Sequence, residues 1–492
     1  KKIKMENNKN LKKSTKEMNE KNQKEKKLFG FLRPHPAKVG ELKSHEHWSH
    51  LKAFSDLPNE NDRNYWRIHD CLYDLSKFDH PGGNDWITMS KGNDITELFE
   101  SSHPNIEKVR KLLPKYFIKK ISEPRNSGSF TFESNGFYST FRDRAWEVLK
   151  THGTGPTSQM LFIHDSLLLG FLSFLTLSMN PTAPFKTWFL WAIIAGFILQ
   201  CVGTCSHNFY HQKTNWRMYS WDLTPASSYE WRISHAYSHH TFPNTSYDFE
   251  IMIFRPFIYY FPIHKSFIYK ILTPLILQIV ALVGMHLQGV QRLFRILLGT
   301  QKFRPEHLLP FILWLVMGII ICHWSGLNIS NLSPLTNESL ELIKQNFITS
   351  FIRLNTVYFC SSFFFHNMSL GTGHHHPLIW HDGDKIPPKL DWGIFQIIAV
   401  VRCDVIDKNL LFTSTTFGNH ILHHLLPTVD HSKLPLIHDV FIKTCKDFQI
   451  NFNDEWFEKR KITPFWGWVS MIQQAVRGKT VDTNFPFYLK KL

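Results

Sequence analysis

The sequence predicts a small α+β domain followed by an all-α domain that crosses a membrane several times, and three observations carry that reading. Residues 62–121 alternate apolar and polar side chains before breaking into short helix-and-turn pieces. From residue 161 the chain enters apolar stretches of near twenty residues. Histidines recur at spacings of three and four in three clusters, two of them beside those stretches. Alternation marks strands, roughly twenty apolar residues cross a bilayer, and residues four apart stand one turn apart on a helix face. A chain of 492 residues has room for both domains.

Composition excludes several classes. The net charge is +15, yet the basic residues of 1–28 come with Asn and Glu and without apolar or aromatic company. That predicts a disordered segment, not a signal peptide or a nucleic-acid module, within a lead-in that reaches residue 61. A basic arm lying on anionic lipid is the functional alternative. Seven scattered cysteines form no disulfide framework. The apolar stretches exclude a soluble nucleic-acid binder.

In the 62–121 unit, Tyr65 to Phe78 reads as short strands, and His80-Pro81-Gly82-Gly83 as a sharp turn that exposes one imidazole. Gly92 to Pro104 gives a short helix with His103 at its end. Two imidazoles arriving from separate pieces over Leu75, Phe78, Ile95, Leu98 and Phe99 suit a six-coordinate haem iron. Capped on both sides, such an iron transfers electrons and has no position for oxygen. The stretch resembles cytochrome b5 through Trp66, Tyr73-Asp74, Phe78, His80 to Gly83, Asp94 to Glu97, Phe99 and His103. The resemblance implies haem b with His80 and His103 as axial ligands.

Residues 122–140 read as a Ser/Gly/Asn-rich linker and 141–152 as a short amphipathic helix. Spans are expected at about 161–179, 187–206, 310–324 and 347–365. Residues 271–290, interrupted by Pro274, Gln278, His286 and Gln288, are expected to lie in the membrane interface. The loop bearing Arg292, Arg295, Lys302 and Arg304 is basic, whereas 326–345 holds only Lys344, so the first is placed in the cytosol and the second in the lumen. Glycosylation-type triplets beginning at Asn328, Asn331 and Asn337 agree with a luminal loop. Residues 451–492 are expected to form a cytosolic tail.

The histidine clusters are His207-x-x-x-His211, His235-x-x-x-His239-His240 and His420-x-x-His423-His424. Eight imidazoles at these spacings are enough for two metal ions, and histidine is the commonest metal ligand. Asp248 and Glu250 read as an exposed acidic pair in preference to partners of the metal-binding histidines. With Asp391-Trp392 ahead of the third cluster and Asp430-His431 behind it, the three boxes resemble the membrane fatty acid desaturase family. The haem unit in front makes the likeness one to its cytochrome b5-fused members, over about residues 62–450, with 141–450 as the desaturase-like domain. Two departures stand out. His420 opens the third box where the fused enzymes usually have Gln, and the second box is one residue longer between His235 and His239 than their common form.

The resemblance implies two non-haem iron ions held by the boxes, O2 as oxidant and a lipid acyl chain as substrate. It also implies a further histidine just past the last span, for which His366 is the candidate. His374, His375 and His376 receive no firm role. The function expected is therefore an electron-fed membrane oxidase that desaturates fatty acyl chains. A hydroxylase on the same site is the nearest rival, and a non-catalytic electron-transfer membrane protein is a rival of another class. A tethered haem supplies single electrons at roughly millimolar effective concentration. NADH-cytochrome b5 reductase refills it, since no Gly-rich dinucleotide fingerprint is present. The setting implied is the endoplasmic reticulum membrane, multi-pass, with haem and histidine boxes on the cytosolic side.

Overall fold

The computed structural model describes residues 44–125, 130–327, 336–370, 373–384, 389–401, 406–450 and 464–478. The reading of 1–28 and the triplets at Asn328 and Asn331 lie outside the described residues. The first helix among the described residues is α1 (His45–Asp56), capped by the Ser44 side chain accepting from the His47 N–H. A three-stranded antiparallel sheet follows in the order β1 (Trp66–Ile68), β2 (Cys71–Tyr73) and β3 (Phe117–Lys120). Trp66 pairs with Tyr73 and Leu72 with Lys119, so the β-branched and aromatic run that alternates in the sequence forms the hairpin. Between β2 and β3 lie the short helices α2 (Asp85–Met89), α3 (Thr96–Ser102) and α4 (Ile106–Arg110). Trp66, Ile68, Leu75, Ile95, Phe99 and Ile106 make their common core.

The second domain is helical. Helix α5 (Phe137–His152) leads into the hairpin of α6 (Ser158–Ser178) and α7 (Phe185–Tyr210). Next come α8 (Ser228–Trp231), α9 (Phe267–Leu297), α10 (Leu309–Trp324) and α11 (Asn337–Phe364). The chain closes with α12 (Trp392–Ala399), α13 (His420–Leu425), α14 (His438–Asp447) and α15 (Pro464–Val476). Among the described residues, four helices are long and apolar enough to cross a membrane: Ser158–Ser178, Phe185–Tyr210, Phe267–Leu297 and Pro305–Trp324. Three of these contain most of the expected spans at 161–179, 187–206 and 310–324. Residues 271–290, expected to lie in the interface, belong to a helix of 31 residues, about 46 Å at 1.5 Å per residue and longer than a bilayer core. Residues 347–365 lie mostly in α11, which is not among those four; its Arg353 donates to the Ser178 and Asn180 carbonyls at the end of α6.

The first domain is docked and not merely tethered. Trp48 of α1 packs against Tyr237 and Phe249, with ring centroids 5.4 and 6.2 Å apart. Asp85 pairs with Arg304 at 2.9 Å, and Thr428 donates to the Ser102 carbonyl at 3.0 Å. Arg125, in the stretch read as a linker, grips Asp94 and Glu97 at 2.7 and 2.6 Å, and Thr131 pairs with the backbone on both sides of Asp391. The buried Glu100 carboxylate takes Arg142 of α5 at 2.6 Å and Arg110 at 2.8 Å.

Burial pushes the Glu100 carboxyl up, but the hydrogen bonds from His69 and Arg110 and the charge of Arg142 overrule it and hold it at about 2. Its folded value thus lies below the ordinary 4.5, so this stabilisation is complete above pH 4.5 and drains away as the pH falls towards 2. Arg142→Met leaves the buried carboxylate with two half-exposed partners, Arg110 and His69, and is expected to cost about 3 kcal/mol, read as a fall in melting temperature that narrows as the pH drops from 5 towards 3. An unchanged melting temperature at pH 7 would refute the role given to this pair.

Candidate metal centre and haem site

Helix α7 places the first box. Its 26 residues make about 39 Å of helix, more than a bilayer core, so its last turn with His207 and the following His211 stands at the end of the apolar layer. The second box lies on a π-helical turn, residues 232–239, continuing α8. The His240 N–H donates to the His235 carbonyl at 2.9 Å, five residues back. At about 100° per residue, an ordinary α-helix would carry His240 some 140° round from His235. The wider turn brings it back, so the residue that lengthens this box is taken up by the backbone and all three imidazoles face inwards. Helix α13 supplies His420, His423 and His424.

The imidazoles gather into two adjacent groups. His207, His211, His235, His240 and His423 have ligand atoms within 4.8 Å of one another, as do His239, His374 and His424. His420 joins the second group, its Nε2 2.9 Å from that of His374. The rings of His240 and His424 stack 4.0 Å apart between the groups. All are buried.

The supporting contacts determine which nitrogen is bare. His235 Nδ1 lies 2.7 Å from Glu250, His239 Nδ1 2.7 Å from Asp248, and His424 Nδ1 2.9 Å from Gln396 Oε1. Each of these partners accepts, so each ring carries its proton on Nδ1 and presents a lone pair at Nε2. Those lone pairs meet further imidazole nitrogens: His235 Nε2 is 2.8 Å from His207 and 3.0 Å from His240, and His239 Nε2 is 2.9 Å from His374. Bare lone pairs at such distances repel unless a cation lies among them, and the residues therefore fit a metal in each group. Burial, and then the neighbouring imidazoles, keeps His240, His374 and His424 well below the ordinary histidine value, in the neutral form that metals take. For His239, burial works the same way but the Asp248 carboxylate outweighs it and raises the ring.

Three sequence expectations change here. Asp248 and Glu250 are buried partners of box histidines and not an exposed pair. His366 stands outside both groups: its Nδ1 lies 2.8 Å from the Ser362 carbonyl, and its ring packs against Gly284. His374, given no role, takes the central place in the second group. Gly373 makes this possible, because a Cβ there would sit 2.2 Å from the His420 ring. His375 instead stacks flat on Tyr260 at 3.6 Å.

In the first domain, His80 and His103 face each other with ring centroids 6.1 Å apart, room for one iron with nitrogen bonds of about 2 Å. His103 Nδ1 lies 2.8 Å from the Phe99 carbonyl, which can only accept and so leaves Nε2 as the bare ligand atom of that ring, whereas His80 Nδ1 accepts from the Gly82 N–H at 3.2 Å. Gly83 has φ +113° and a Cβ on it would meet Thr214 Oγ1 at 2.5 Å, so the turn bearing His80 is pressed against the chain just beyond His211.

Residues 47–122 match the family model for the cytochrome b5-like heme/steroid binding domain, and residues 186–456 match that for fatty acid desaturase. The Drosophila melanogaster cytochrome b5-related protein is 31% identical over 389 residues, covering 78% of this chain and 83% of the relative. Acyl-lipid (8-3)-desaturase B of Dictyostelium discoideum is 22% identical over 438 residues, 82% of this chain and 90% of the relative. The acyl-lipid (8-3)-desaturase of Physcomitrium patens is 24% identical over 429 residues, 77% and 82% of the two chains. No solved structure matches. With a three-stranded cytochrome b5-like domain docked on a helical, histidine-boxed membrane domain, the chain belongs to the fatty acid desaturase family in its cytochrome b5-fused form.

Proposed function

We propose that the chain is an O2-dependent oxidase that desaturates a lipid acyl chain at a pair of non-haem irons, fed by its own haem b. The observation that carries this is the convergence of bare imidazole lone pairs in two touching groups, beside a domain whose two histidines leave a gap for one iron. His207, His211, His235, His240 and His423 would hold one iron, and His239, His374, His420 and His424 the other; His80 and His103 would hold the haem. The irons, when bound, supply the oxidising power to take hydrogen from an unactivated methylene, which no side chain possesses.

The chain's own residues do the rest. Glu250, Asp248 and Gln396 orient the rings and fix the proton on Nδ1, keeping each ligand nitrogen basic. Trp221, Trp231, Phe365 and Phe417 pack as one apolar wall against the first group and exclude water from it. Electrons reach the haem from NADH-cytochrome b5 reductase, with haem and boxes on the cytosolic face of the endoplasmic reticulum membrane. Iron analysis of the purified full chain tests the reading: haem plus an iron pair means three irons per chain, and expression in a host lacking the activity should yield a lipid two hydrogens lighter. One iron per chain would sink it, and a product heavier by one oxygen would make the enzyme a hydroxylase.

A further inference from the structure

We propose that Tyr138 is the crossing point for electrons between the haem domain and the iron pair, a positioning role that rests on the oxidase reading above. Tyr138 is fully buried at the start of α5, and its hydroxyl lies 3.1 Å from the Glu100 carbonyl and 3.1 Å from the Leu425 carbonyl. On the haem side, His103 Nδ1 meets the Phe99 carbonyl at 2.8 Å, and Phe99 is bonded to Glu100. On the metal side, Leu425 is bonded to His424. One phenol oxygen therefore closes a path from the His103 ring to the His424 ring made of hydrogen bonds and two peptide units, with no other side chain in it.

The same ring reaches the first metal group. It packs edge-on to Trp392 at 4.7 Å, and the Trp392 indole N–H donates at 3.1 Å to the carbonyl of Thr241, the residue bonded to His240. The approach is built in: a Cβ on Gly393 would come within 3.0 Å of Tyr138 Cβ, and the Tyr138 N–H donates to the Asp391 carboxylate at 3.2 Å. Burial pushes the phenol above its ordinary value, so the hydroxyl keeps its single proton, which the Glu100 and Leu425 carbonyls share.

Two other contacts between the domains make longer routes. The Gly82 carbonyl takes the Thr214 N–H at 3.3 Å, but Thr214 lies three residues beyond His211. Thr428 donates to the Ser102 carbonyl, four residues past His424. Coupling falls steeply with path length, so the single-oxygen bridge carries the current. Each passage moves one electron and no proton: ferrous haem becomes ferric, a ferric ion of the pair becomes ferrous, and two passages serve one turnover.

Tyr138→Phe deletes that oxygen and keeps the ring, and Thr428→Val breaks a neighbouring interdomain bond while leaving the bridge intact. Both are compared with wild type as full-length protein carrying haem and iron. With NADH, reductase and acyl lipid, Tyr138→Phe is expected to hold its haem almost fully reduced in the steady state, and its haem to reoxidise about tenfold more slowly once the link becomes a gap beyond hydrogen-bond range. Hydrogen exchange at 99–103 and 424–428 and the haem absorbance should match wild type in both variants. Wild-type reoxidation in Tyr138→Phe overturns the proposal, as does equal slowing in Thr428→Val, or lost exchange protection that turns Tyr138 into a mere tie between domains. If wild-type haem reoxidises at the same rate with and without lipid and with one iron per chain, it is the oxidase reading that has failed.

Discussion

His374→Ala is expected to retain its haem, to lose an iron from the second group and to yield no measurable lipid product. The Nε2 of His374 is 2.9 Å from those of His239 and His420 and 3.2 Å from that of His424, so it is the one nitrogen every other member of that group faces. Deleting it leaves three imidazoles arranged around a missing ligand, and the loss should exceed the roughly 10- to 100-fold that changes to supporting residues cost. His366→Ala provides the contrast. That ring is buried and bonded to a helix carbonyl, so its loss leaves a cavity but both irons. Iron content and lipid product, measured on the two variants side by side, decide the matter: an iron-replete His374→Ala or an iron-depleted His366→Ala would reverse the assignment.

Glu250→Gln should weaken iron binding by about 10- to 100-fold with the fold intact. The carboxylate accepts from Trp231 at 2.9 Å and from His235 at 2.7 Å, and stands 3.7 Å from His239 Nδ1. Burial raises its carboxyl, but His235, by charge and hydrogen bond, brings it down to about 2, so it is an anion throughout the working pH range. An amide of the same size cannot supply that charge, and with its N–H turned to His235 it would force the ring proton onto the ligand nitrogen. Competition with a graded series of iron chelators measures the effect, and equal retention by wild type and variant would refute it. Asp248→Asn acts on one histidine instead of two and should cost less.

The box histidines were legible because a spacing of four states where side chains point on a helix, and the haem turn because Pro-Gly-Gly beside a histidine allows few conformations. What escaped was set by contacts distant in sequence. Nothing local separates His374 from His375 and His376; only the 2.2 Å approach permitted by Gly373 does so. Asp248 and Glu250 carry the signature of an exposed pair, and they are buried because the turn at Asn244 folds them back beneath the rings they support, the Asn244 N–H donating to Asp248 at 2.8 Å. The polar residues that interrupt 271–290 find partners that the sequence does not announce: His286 meets Asn355 and Gln278 meets Asn367 on neighbouring segments. The docking of the haem domain was invisible for the same reason: Glu100 finds Arg142 across 42 positions of chain, and neither announces the other.

The π-helical turn after Trp231 separates the length of a motif from its shape. A ruler laid along the polypeptide finds one residue too many, whereas a protractor held around the helix axis finds His235 and His240 turned to the same group. Metal-binding signatures of this sort are better written as angles than as counts, and an insertion that upsets the count leaves the chemistry in place wherever the backbone can widen by one hydrogen bond.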